Sequence, residues 1–494
     1  MSWRTADPAR RGIALAVSVA LPGCGVEPPA PAAPAAPAAP PDILLVVLDT
    51  TRADAVSGAG DREAVTPQVS AIAAAGVTFT DVTAPASWTW PSHGSLFTGL
   101  PPWEHGARTR SNASVTDGRR VAQVWPLRDD VPTLAEHLGR AGYQTTALSQ
   151  NQWLSAELGL TRGFDHVEVL SNCPAVEASL DQALRHSAGQ PTMVFINLLE
   201  AHAPWSVSPS PRAEAHRHRL VHEPGWLAPF VTAEPLALDL YRPAHADGPS
   251  GFQAIMRGDL RPTTADRALI RDLYQADVSL ADYCLNRVLT TWQRHRPLGI
   301  VAVTSDHGEY LGEHGLLEHG QTVWPQVTDV PLVLVGPGLP AGSTVDVPVQ
   351  LQDVPGTLLA LAGLEASGST VLPAVRGEPR SVPIQAAAWH HPEPAGAIGG
   401  RFLHDWFWYR EGMWAVAFSP TSTSHLYDLS VDRGAQQDVA EQHPERHAAL
   451  MARARGAFPV ATNTGQVELS AEVEEQLRAI GYVGSDSLEK TADP

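Results

Sequence analysis

Lysine is almost missing. Lys490 is the only one among 494 residues, so 33 of the 34 basic residues are arginine. A mechanism that needs a buried lysine is excluded, unless the tail that carries Lys490 folds back onto the site. The arginine bias of a GC-rich genome would give the same count. Positive charge is also scarce: 34 Lys+Arg face 53 Asp+Glu, a formal net charge of −19. That balance excludes non-specific nucleic-acid binding, which needs a basic surface. No run reaches about 18 consecutive apolar residues, so no transmembrane helix is expected. Cysteine is rare, with Cys24, Cys173 and Cys284 only.

The N-terminal region reads as an address. Arg4, Arg10 and Arg11 precede a short apolar run, Ile13 to Leu21. That is a charged n-region and an h-region too short to span a bilayer. Leu21-Pro22-Gly23-Cys24 follows and resembles a bacterial lipobox, whose cysteine carries lipid after cleavage. The expected division is a lipoprotein signal over 1–24 and a Pro/Ala linker over 25–41, extended and semi-rigid. The expected location is the bacterial cell envelope, with the membrane reached only through the lipid. Cys173 and Cys284 would then pair in an oxidising compartment or stay free.

At 44% hydrophobic and 18% charged, the remainder can bury a core. Continuous apolar runs occur at Ile43–Leu48, 143–148, 192–199, 298–304 and 330–335. Runs of this length predict strands buried on both faces, as in a parallel sheet. Helical patterns lie between them. One opens at Thr66-Pro67 as N-cap and N1 and closes at Gly76; others cover 132–140, 264–294 and Asp353–Leu361. The alternation predicts an α/β/α sandwich with a mostly parallel sheet over 42–395. Within it, 203–261 is Pro-rich and interrupted, and reads as an insertion or lid. Its histidines His216, His218 and His222 suit a solvated loop better than a metal site. Residues 396–494 read as a small C-terminal α+β subdomain and tail.

Four of the five runs end in polar residues: Asp49; Ser149-Gln150-Asn151; Glu200-Ala201-His202; and Ser305-Asp306-His307. In open α/β sheets that carboxyl edge is where sites are built. Asp49 suits a metal ligand or a cap of the following turn. Asp306-His307 is a metal-ligand pair by type, and oxygen plus imidazole favours Zn or Mn, with Ca also possible. Thr89 lies two residues before Pro91, which can open a helix. A hydroxyl there meets free N–H groups and the helix dipole, suited to an anionic substrate, or it simply caps. Trp88, Trp90, Trp103 and Trp205 either wall a pocket or pack in the core.

Asp49-Thr50-Thr51-Arg52, the segment from Thr89 to Gly99, Ser305-Asp306-His307-Gly308-Glu309, Leu332–Gly338, Leu426-Tyr427-Asp428-Leu429 and Ala479-Ile480-Gly481-Tyr482 resemble, in order, the sulfatase-like branch of the alkaline phosphatase superfamily. The resemblance implies that superfamily's sandwich, a divalent metal and hydrolysis of sulfate or phosphate esters. The departures are informative. The Cys/Ser that sulfatases convert to formylglycine is Thr89, which cannot give that aldehyde. The arginine of that motif is His93, and the anion-clamping lysines have no counterpart. A related branch, of phosphodiesterases and phosphoethanolamine- or glycerophosphate-transferases, uses an unmodified threonine. The resemblance then implies Asp49, Thr89, Asp306 and His307 as metal ligands and Thr89 as nucleophile. His93 stands in for the arginine, and His202 and His319 bind the anion or protonate the leaving group. The substrate would be a small anionic ester, a glycan or a lipid headgroup. A surface lipoprotein that binds such glycans without turnover is the alternative from another class. Nothing in the pattern sets an oligomeric state.

Overall fold

The computed structural model describes residues 40–57, 65–109, 124–206, 230–233, 236–240, 250–389, 404–421, 423–459, 467 and 469–479. Cys24, the Pro/Ala run up to residue 39, His216, His218, His222 and Lys490 fall outside them. Among the described residues no helix is long and apolar enough to cross a membrane.

Eight strands form the main sheet: β1 (Ile43–Leu48), β2 (Val77–Phe79), β3 (Gln144–Ser149), β4 (His166–Val169), β5 (Thr192–Leu198), β6 (Ile300–Thr304), β7 (Leu332–Val335) and β8 (Ser343–Val345). Their order is β8-β2-β7-β6-β1-β5-β3-β4. Strand β7 runs antiparallel to β6 and β2, and every other pairing is parallel. The apolar run at 330–335 therefore signalled burial on both faces, not strand direction. In β1 the alternation is complete. Ile43, Leu45 and Val47 join one core, and Leu44, Val46 and Leu48 the other.

The helices that flank this sheet include α1 (Pro67–Ala75), α2 (Thr89–Thr98), α3 (Leu134–Arg140), α4 (Cys173–His186), α5 (Thr264–His295) and α6 (Asp353–Leu361). α2, α3 and α6 cover one face through Trp90, Leu96, Phe97, Leu138 and Leu358. α1, α4 and α5 cover the other through Ile72, Leu180, Leu285 and Trp292. This is the three-layer sandwich expected from the strand–helix alternation. Thr66 does occupy the N-cap of α1, but its side chain caps nothing. Asp282 on α5 takes the orphan N–H groups of Gln68 and Val69, at 3.0 and 2.9 Å. A cap supplied from a helix over 200 residues away carries no local signal. Cys173 at the start of α4 and Cys284 on α5 are joined as a disulfide.

A second, antiparallel sheet follows, in the order β9 (Ile384–Ala388), β10 (Trp406–Glu411), β11 (Trp414–Phe418) and β12 (Ser424–Asp428). Helix α7 (Pro444–Ala454) packs on it through Leu450 and Met451. The sheet thus begins at Ile384, ahead of residue 396. It is bolted to the sandwich by a buried ion pair. Arg410 reaches both carboxylate oxygens of Asp81, at 2.8 and 2.7 Å.

That pair sets a test. Arg410→Met leaves Asp81 buried without its cation and should cost about 3–5 kcal/mol in a urea titration. A loss below about 1 kcal/mol would mean that Arg433, 4.0 Å from Asp81, takes over.

Candidate metal centre and active site

Strands β6, β1, β5 and β3 are neighbours and parallel, so their carboxyl ends share one edge. Asp49 follows β1, Asn151 follows β3, and Asp306-His307 follows β6. Asn197 lies inside β5, and His202 is four residues beyond its end. Residues up to about 250 positions apart are brought together by strand order alone.

Asp49, Asp306 and His307 converge. One ligand atom of each lies within 4.8 Å of the others, and all three residues are fully buried. The atoms facing away from that point are tied. Asp49 Oδ2 accepts from Asn197 Nδ2 at 2.9 Å and Asn151 Nδ2 at 3.0 Å. Asp306 Oδ1 accepts from the backbone N–H of His307 at 3.0 Å and of Thr50 at 3.3 Å. His307 Nδ1 donates to Gly308 O at 2.9 Å, which leaves Nε2 as a bare lone pair. The atoms facing inward, Asp49 Oδ1, Asp306 Oδ2 and His307 Nε2, have no hydrogen-bond partner. Nε2 is 3.3 Å from Asp306 Oδ2 and 4.0 Å from Asp49 Oδ1.

Three electron-rich atoms aimed at one point, out of water, repel one another. Burial, reinforced by Asp49, pushes the Asp306 carboxyl far above its ordinary value. Burial and the neighbouring His319 hold His307 well below the usual imidazole range. A cation reverses both costs. The tied outer atoms and the orphaned inner ones are the pattern of metal ligands with their supporting bonds, so these residues fit a divalent cation.

Thr89 is the first residue of α2, and Trp88 is the N-cap. The helix thus starts two residues before Pro91, the position expected to open it. Asn151 Nδ2 lies 3.3 Å from Thr89 Oγ1 and 3.0 Å from Asp49 Oδ2, linking the hydroxyl to the metal donors. His93, one turn into α2, is fully buried against Phe97 and Phe195. Its Nδ1 is 3.0 Å from the Thr89 carbonyl and 3.4 Å from Asp306 Oδ2. Burial pulls its pKa down to about 4, so it is neutral. Its ring thus ties the first turn of α2 to the strand end that carries Asp306.

His202 and His319 reach the same place. Their rings are 5.0 Å apart, and that of His319 is 4.4 Å from His307. His202 Nδ1 is 2.5 Å from Ala203 O, and His319 Nδ1 is 3.0 Å from Glu309 Oε1. Burial lowers His202 and takes His319 down to about 4, while it lifts Glu309 to about 8. Arg52 is not available as a clamp. It holds both oxygens of Asp54 at 2.7 Å, Glu313 at 2.9 Å and the Glu309 carbonyl at 2.9 Å. Trp88, Trp90 and Trp205 are core residues: the first two pack on Trp153 and the third on Tyr274.

All seven residues expected at the site lie in this cluster. Sequence reasoning missed Asn197, Glu309 as partner of His319, and the linking role of Asn151. Asn151 and Glu309 stood in strand-end motifs. Asn197 sits mid-run among apolar residues, where a polar side chain is costly unless satisfied.

A family model described as Sulfatase matches from residue 41 to residue 364, more than half of the chain. The chain belongs to the sulfatase family. It is an ester hydrolase. Among sulfatase relatives, a Delta 4,5-hexuronate-2-O-sulfatase of Bacteroides thetaiotaomicron is 22% identical over 81% of this chain and 85% of its own. The fold is shared with a phosphonate monoester hydrolase of Agrobacterium radiobacter (TM-score 0.62, 20% identity, 84% of this chain and 94% of that one). It is also shared with a protein solved in complex with its substrate D-glucosamine-2-N,6-O-disulfate (TM-score 0.62, 18% identity, 84% and 97%).

The convergent donor set predicts one substitution with two signs. An unfolded Asp titrates near 3.8, and folded Asp306 well above that when no cation is bound. The fold bears no penalty below the unfolded value, and the penalty grows as pH rises through the folded one. In chelator-treated protein, Asp306→Asn should raise Tm at pH 7, and the gain should shrink toward pH 4. With saturating Mn²⁺ or Zn²⁺ the same substitution should lower Tm, because a ligand is lost. A shift of the same sign in both conditions would remove Asp306 from the cation site.

Proposed function

We propose that this protein is a divalent-metal-dependent hydrolase of a sulfate or phosphate-type ester, with Thr89 Oγ1 as nucleophile. The observation that carries the reading is Asn151 Nδ2, shared between Asp49 Oδ2 and Thr89 Oγ1. It sets the hydroxyl beside the donor set at a helix N-terminus. Asp49, Asp306 and His307 would hold the cation, Zn or Mn by donor type, with Thr89 as a further ligand. When bound, it supplies positive charge that favours the alkoxide and neutralises the anionic ester.

The chain's own residues do the rest. Thr89 attacks sulfur or phosphorus, and the bond to the ester oxygen breaks. The alcohol leaves with a proton, and water later cleaves the threonine ester to regenerate the hydroxyl. His202 and His319, neutral at working pH, stand beside the donors to take a proton and pass it to the leaving oxygen. In place of the missing lysines, the oxyanion would meet N–H groups at the start of α2 and the Nε2–H that an imidazole carries once it has taken that proton.

Unmodified threonine favours phosphoryl chemistry, while the hexuronate sulfatase among the relatives favours a sulfated glycan. Transfer to an acceptor alcohol in place of water is the variant reading. The Cys173–Cys284 bond supports an oxidising compartment, in keeping with export and lipidation at Cys24.

Aryl sulfate, aryl phosphate, aryl phosphodiester and aryl phosphonate esters form the test panel. The best of them should be turned over by the metal-loaded protein, and Thr89→Ala should lower kcat/KM by ~10³-fold or more at unchanged Tm. Undiminished turnover in Thr89→Ala would remove the nucleophile assignment. No turnover of any ester, with metal bound, would leave the glycan-binding reading.

A further inference from the structure

A second recess, of about 540 Å³, shares no residue with the metal centre. That is the size of a small-molecule site. Trp103 and Arg108, from the segment after α2, form one side; Trp389, Asp405 and Phe407, from the antiparallel sheet, form another. Phe458 and Arg455 close it from beyond α7. Ring centroids of Phe458 lie 4.7 Å from Trp103 and 4.8 Å from Phe407, so the walls are aromatic.

Among the described lining residues Arg108 and Arg455 are cationic and Asp405 is acidic. The Arg108 guanidinium stands 5.7 Å from the centre of the Trp389 ring, with Asp405 as its neighbouring carboxylate. Among the described residues Arg455 forms no ion pair. A lone inorganic anion would leave the aromatic walls wet. A neutral apolar ring would leave a guanidinium unmatched. A sugar acid answers both, because its C–H faces meet the negative faces of the rings and its carboxylate meets arginine.

The recess is fastened to the nucleophile segment on two sides. Arg108 pairs in a short ladder with Trp125, and the Trp125 carbonyl accepts from Trp90 Nε1 at 2.9 Å, next to Thr89. Ala387, two residues before Trp389, donates to the Pro85 carbonyl at 2.9 Å. We propose that this recess binds an acidic sugar ring. Its binding can be measured without turnover.

Ligand-detected NMR titration of the metal-loaded, full-length protein with D-glucuronate, D-glucose and inorganic sulfate is the test. Glucuronate should bind at least tenfold more tightly than glucose or sulfate. Arg455→Gln and Trp389→Ala should each weaken it at least tenfold, with turnover of a minimal aryl ester within twofold of wild type. Sulfate binding as tight as glucuronate would overturn the sugar. So would binding that survives both substitutions, or binding lost in Asp306→Asn but kept in Arg455→Gln, which would place glucuronate at the metal centre. Glucuronate binding without any ester turnover would instead sink the hydrolase reading and leave the recess standing.

Discussion

Two carboxylates that repel each other in a dry place organise this protein. Asp49 and Asp306 end adjacent parallel strands, and neither is exposed to water. Each spends one oxygen on fixed N–H donors and points the other at a shared spot with His307 Nε2. Such a centre is costly without a cation and strongly attractive to one. Every neighbouring feature serves to keep the three groups from relaxing apart.

The bracing is dense. Thr50 adopts a left-handed backbone, φ 57°, uncommon for a β-branched residue. That turn aims its N–H at Asp306 Oδ1. Tyr274 on α5 locks the turn, donating to the Thr50 carbonyl and accepting from the Arg52 N–H, each at 2.9 Å. Ser305 Oγ accepts from the Thr51 N–H at 2.9 Å and donates to the His307 carbonyl at 2.7 Å, stitching the two strand ends together. Ser92 on α2 donates to the Asp306 carbonyl at 2.5 Å, so the helix that carries Thr89 is pinned to the strand end that carries Asp306 and His307. Arg52 is drawn into this scaffold by Asp54 and Glu313.

Much of this was legible because each strand end bore a polar residue that a buried edge would not otherwise tolerate. Asp49, Asp306 and His307 stood out for that reason, as did His202, while Thr89 stood out by its place just before Pro91 at a helix start. His93 was legible as a position, but the seat of its ring between Phe97 and Phe195 was not. Asn197 was hidden in a continuous apolar run, because satisfaction by Asp49 depends on a residue 148 positions away. The direction of β7 was hidden as well, since burial on both faces gives the same run in either orientation.

By itself, the sequence determined the layers, the strand ends that carry chemistry and the shortage of lysine. These depend on local periodicity and on residue type, which need no partner to be read. The tertiary structure alone decided which strand ends meet, which oxygen of each carboxylate is tied, and that arginine is spent on the scaffold. It also decided that Trp103, Arg108, Trp389 and Arg455 line one recess. Those are facts of long-range contact: the energy of a buried polar atom depends on its neighbours in space, and strand order chooses them.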